Sequence, residues 1–200
     1  MQALKPSDQV DFSRHYTLEE FWELPELHDG SYYELIKGRL HMVPPANPPH
    51  GSVDSRMTKS LVIFLVNNNI EGDVLHPHEP IYRRAEDSTY LEPGMMYVSP
   101  ALQYRKGGPK RTSADIVFEF LSRSTRVYNL TTKADAYLDL GVSELWLVDP
   151  FTVTIEVRHR TTDSETPAWE SCKYAAGEHA KSRVLAGWEV SVDELFKDLV

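Results

Sequence analysis

The chain has 200 residues, and its 41% hydrophobic share is enough for one globular core of ordinary size without requiring a second domain. The longest apolar run, Leu61 to Val66, is far shorter than the roughly 20 residues of a membrane span, and no signal peptide opens the chain, so a soluble cytoplasmic protein is expected. The lone Cys172 excludes an internal disulfide and a thiolate metal cluster, while a net charge of −9 opposes non-specific attraction to phosphate backbones.

Residues 1–15 lack periodicity and are expected to form a loose tail, leaving 16–200 as a single domain. Thr17 and Glu20 have the spacing of a capping box for a short helix that carries Leu18, Phe21, Trp22 and Leu24. Tyr32 to Ile36 and Arg39 to Val43 flank Lys37-Gly38 as a hairpin, which puts Glu34 on a strand. Beyond the breaker cluster PPANPPHG, Val53, Met57, Leu61, Phe64 and Leu65 give a helix that stops at the asparagine run from Asn67. Asp73 to Tyr82 and Tyr90 to Val98 read as extended but irregular, because prolines interrupt both.

A basic Gly-Pro loop follows, with Arg105, Lys106, Lys110 and Arg111 as candidate nucleic-acid contacts. Asp115 to Leu121 reads as a buried strand whose alternation places Glu119 on the face of Val117 and Leu121. Asn129 has the character of an N-cap for a helix that ends at Gly141, with Leu130, Lys133, Tyr137 and Leu140 on one face. Glu144 to Val148 and Thr152 to Arg158 are expected to form a second hairpin. Trp169 to Tyr174 and Val184 to Trp188 read as strands, and Val192 to Phe196 as a closing helix. The expected class is α/β, a central mixed sheet flanked by helices.

Within this order an acid, Glu119, and an amine, Lys133, both point inward. Burying either charge alone costs several kcal/mol, so each is expected to meet a partner or a cleft. A structural Glu119–Lys133 ion pair is one reading, and a reactive pair is the other. The types present also suit phosphodiester hydrolysis, which takes hard oxygen ligands for Mg²⁺ or Mn²⁺ and a cation near the developing charge. His76, His78 and Glu79 form an H-x-H-E run, but Pro77 and Pro80 argue for exposed histidines rather than a transition-metal site. His50 either caps a turn or touches a phosphate.

The phrases YYELIKGRLHMVPP with His50 behind it, ADIVFEFLSRSTR, then Lys133 and Tyr137, then GVSELWLVDP, together resemble a known family. It is the restriction endonuclease domain family catalogued as domain of unknown function 820, within the PD-(D/E)XK nuclease superfamily. The resemblance runs from about Thr17 to Phe196 and implies a restriction-endonuclease-like core and metal-dependent DNA cleavage with Mg²⁺ or Mn²⁺. It also implies Glu34, Glu119 and Lys133 as catalytic residues, and a homodimer is expected of an enzyme that cuts both strands. One departure stands out. Where the family has a metal-binding aspartate after a proline, this chain has Gly94 after Pro93, and Glu92 is the nearest acid to join Glu119 as a ligand. The loss leaves a second outcome open, an inactive nuclease fold that binds nucleic acid or protein.

Overall fold

The computed structural model describes residues 10–45, 48–84, 88–103, 112–161 and 166–199. The loop bearing Arg105, Lys106, Lys110 and Arg111 lies outside them. In chain order the elements are α1 (Leu18–Trp22), β1 (Tyr32–Ile36), β2 (Arg39–Val43), α2 (His50–Asn67), β3 (Asp73–Leu75), β4 (Ile81–Arg83), β5 (Thr89–Leu91), β6 (Met95–Val98) and α3 (Pro100–Gln103). They continue with β7 (Ile116–Phe120), α4 (Arg126–Tyr128), a π turn (Asn129–Lys133), α5 (Ala134–Asp139), β8 (Glu144–Asp149), β9 (Thr154–Arg160), β10 (Trp169–Tyr174), β11 (His179–Lys181), β12 (Glu189–Ser191) and α6 (Val192–Phe196). Among the described residues no helix is long and apolar enough to cross a membrane.

Local chemistry explains the boundaries. Thr17 accepts from the Glu20 amide at 3.2 Å while the Glu20 carboxylate accepts from the Thr17 amide at 2.8 Å, so the capping box starts α1. Lys37 and Gly38 both take positive φ, 50° and 74°, as the tight β1–β2 turn requires. Three of the expected extended stretches differ, and one of them, Tyr90 to Val98, divides at Pro93 into β5 and β6, which join different sheets. The extended stretch from Asp73 breaks after Leu75, because Pro77 and His78 form a turn, with His78 at φ 76°. Val184 to Trp188 is a turn rather than a strand: the Trp188 amide bonds back to the Leu185 carbonyl, and the pairing strands are β11 and β12 on either side.

The strands form a six-stranded sheet in the order β10-β9-β8-β7-β6-β3, a four-stranded sheet in the order β2-β1-β5-β4, and the small β11-β12 pair. Strands β7 and β8 run parallel, the other neighbours antiparallel. A parallel pair needs a crossover, which here is the helical segment from Arg126 to Asp139. Alternation along β7 then splits the core. Ile116, Phe118 and Phe120 pack with Trp146, α2 and α6 on one side. Val117 and Leu121 face the crossover with Tyr137, Ala134 and Ala136 on the other. Glu119 shares this second face. On β1, Tyr33 and Leu35 join a small cluster with Leu18 and Phe21, so Glu34, out of phase with them, turns toward the larger sheet as Ile36 does.

Candidate functional site

The Lys133 ammonium, 2% exposed, lies 2.7 Å from Glu119 Oε1 and 3.0 Å from Glu34 Oε1, and both carboxylates are buried. Its third contact is the Glu92 carbonyl at 3.2 Å. The ammonium has three N–H groups, so all three are engaged. The Glu92 amide also donates to Glu34 Oε1, at 2.9 Å. Glu119 further accepts from the Tyr137 hydroxyl at 2.6 Å and from the Asn129 amide at 3.2 Å. Glu34 Oε2 accepts from the Tyr128 hydroxyl at 2.9 Å.

Asn129 therefore does not cap the helix. The helical stretch begins at Arg126, and Asn129 sits inside it with its amide turned to Glu119. The π turn makes this convergence possible. In an α-helix residues five apart diverge by about 140° around the axis, whereas the wider π turn nearly aligns them. Tyr128 and Lys133 can thus both reach Glu34. Neither Tyr128 nor Asn129 was readable as a carboxylate partner in the sequence. For Tyr137, the spacing of four from Lys133 was the usable signal.

Burial pushes the Glu119 carboxyl above its ordinary range, with Lys133 opposing and Glu34 adding to the rise. Glu92 is likewise raised by burial, partly offset by His78. For Lys133 burial pulls downward, but Glu119 and Glu34 outweigh it and hold the ammonium well above the usual lysine range. Burial thus sets the direction for the two carboxyls, and the neighbouring carboxylates set it for the ammonium.

A cavity of about 210 Å³ opens onto this cluster, lined in part by Glu119, Lys133, Asn129, Gly94, His50 and His78. Of the three acids, Glu119 reaches its wall. Glu34 is fully buried behind Lys133, with both of its oxygens bonded. Glu92 Oε2 is buried without a hydrogen-bond partner, and His78 Nδ1 lies 3.3 Å from it. The His50 ring packs edge-on against Phe120 at 5.3 Å, beside Gly94. His76 turns instead to Asp54, 3.6 Å away, so the two histidines of the H-x-H-E run have separate partners.

Among the described residues no three His, Cys, Asp or Glu side chains gather into a metal-holding group. A hard cation such as Mg²⁺ does not require one, since it keeps several waters and binds through one or two carboxylates. The Glu92 oxygen that takes part in no hydrogen bond and the surplus of carboxylates over ammonium suit such an ion.

A family model described as "Uma2: Putative restriction endonuclease" matches residues 18–193. The chain belongs to this family. Its fold is that of a solved putative nuclease belonging to DUF820 from Anabaena variabilis ATCC 29413, with a TM-score of 0.73 and 19% sequence identity over 92% of this chain and 99% of that one. No curated protein matches the sequence.

Proposed function

We propose that this member of the family is a metal-dependent DNA endonuclease of the PD-(D/E)XK type, weakened by the glycine at position 94. The observation that carries this reading is the buried Lys133 ammonium meeting the Glu119 carboxylate at the edge of an open cavity. A carboxylate that lines a cavity and a cation beside it are the pair that phosphoryl transfer to water uses.

In this reading Glu119 and Glu92 hold Mg²⁺ or Mn²⁺, which when bound supplies Lewis-acid polarisation of the phosphate and a more acidic water. Lys133 provides a fixed positive charge for the phosphate oxygens. Glu34 acts at one remove: enclosed by Lys133, the Glu92 amide and Tyr128, it positions the ammonium rather than binding an ion. In the same reading His50, which lines the cavity, meets the DNA backbone.

Supercoiled plasmid incubated with Mg²⁺ or Mn²⁺ tests the proposal. The protein is expected to nick it, and Glu119→Gln to leave it intact. An intact plasmid with the unaltered protein, or equal nicking by the variant, overturns the reading. Cutting of both strands would call for a homodimer, which sedimentation velocity measures directly.

A further inference from the structure

A second cavity of about 220 Å³ adjoins the first and shares His50 and Ser122 with it. Its wall includes Pro49, Arg123, Ser124, Pro150 and Phe151. Phe151 is 39% exposed, so part of its ring is open to a ligand. It is also held in place: its amide donates to Asp149 Oδ1 at 2.9 Å, and Arg126 anchors the other Asp149 oxygen at 2.8 Å. The Arg123 guanidinium lies over the ring, 5.1 Å from its centroid, and makes no ion pair among the described residues. Ring and guanidinium therefore form a two-part platform on an anchored turn, with a positive charge that no described ion pair takes up. Planar aromatic ligands stack on either part, and the charge adds a preference for a neighbouring anion.

A nucleotide unites those two properties. The chain's net charge of −9 weakens any long-range hold on DNA, so local contacts that do not depend on the overall field gain weight. Base stacking is such a contact. Bases within a duplex have both faces covered, so only an unpaired base can use the platform.

We propose that this cavity binds an unpaired nucleobase of the DNA strand whose neighbouring phosphate enters the Glu119 cavity, with the base stacked on Phe151 and Arg123. The inference rests on the nuclease reading for the identity of the strand, and it directs cutting to unpaired DNA: single strands, frayed ends, flaps and the melted segments that a supercoiled plasmid exposes.

Fluorescence anisotropy with a labelled single-stranded oligonucleotide and a blunt duplex, both in EDTA, tests it without cleavage. Phe151→Ala is expected to weaken single-strand binding about tenfold while changing duplex binding by no more than about twofold. Phe151→Tyr keeps an aromatic face and is expected to retain the affinity, which separates stacking from a folding defect. No single-strand binding by the unaltered protein, an unchanged affinity in Phe151→Ala, or an equal loss on both substrates overturns the proposal. Phe151-dependent binding without plasmid nicking would overturn the nuclease reading alone. Nicking together with binding indifferent to Phe151 would overturn the subsite alone.

Discussion

Lys133 is the residue on which the charge balance of the interior turns. Replacing a whole buried ion pair by apolar residues is often close to neutral, whereas removing one partner alone leaves a buried charge uncompensated. Here it bridges Glu119 and Glu34, so Lys133→Met strands two buried carboxylates and is expected to cost about 3–5 kcal/mol in urea denaturation at neutral pH. The loss should shrink in acid, where protonation relieves the acids. Gly94 gives a second prediction. A Cβ there would stand 3.0 Å from the Phe120 ring and 3.1 Å from the Phe118 carbonyl. Aspartate is therefore not a simple restoration of a missing ligand: Gly94→Asp is expected to lose about 1–3 kcal/mol, read as a lower melting temperature. An unchanged melting temperature would mean that the strand gives way freely. Inward-facing Glu119 and Lys133 were legible from the strand and helix periods, whereas for Glu34 periodicity gave only a strand and the family resemblance gave the role. The crowding at Gly94 was not, since it arises from Phe118 and Phe120 on the neighbouring strand β7.

At the scale of elements, the π turn sets which side chains reach the acids. Tyr128→Phe removes a hydroxyl from a fully buried carboxylate and is expected to destabilise the protein by about 1–3 kcal/mol. If nicking is observed, the same variant should lower its rate more than it lowers DNA affinity, because Tyr128 acts on Lys133 through Glu34. An unchanged rate would detach Glu34 from catalysis. Sequence periodicity found a helix over this segment but not its register, because one widened turn leaves no trace in the spacing of apolar residues. Asn129 was read as a cap for the same reason, being a residue type that often fills that role. The hairpins of β1–β2 and β8–β9 and the long helix α2 were legible, each resting on a local signal: turn glycine, alternation, or a sustained period near 3.6. The breaks at Pro77 and around Gly187 depend on turn geometry that several sequences share.

For the molecule as a whole, burial of Glu119 has a thermodynamic sign. Its carboxyl has an ordinary value of 4.5 in the unfolded chain and a raised one when folded. Between those two values the folded state keeps a proton that the unfolded state has lost, so this group's contribution to stability falls as pH rises through the window. Melting temperatures of the unaltered protein relative to Glu119→Gln should therefore shift against the former as pH climbs from 4.5, then level off. A shift in the opposite direction would contradict the burial. The cluster also has a mechanical consequence. Glu34 belongs to the four-stranded sheet, Glu119 to the six-stranded one, and a single amine grips both. Sliding one sheet past the other would tear opposite charges apart where water cannot readily replace the lost contact, so these three side chains serve as a rivet that makes the two layers resist shear together.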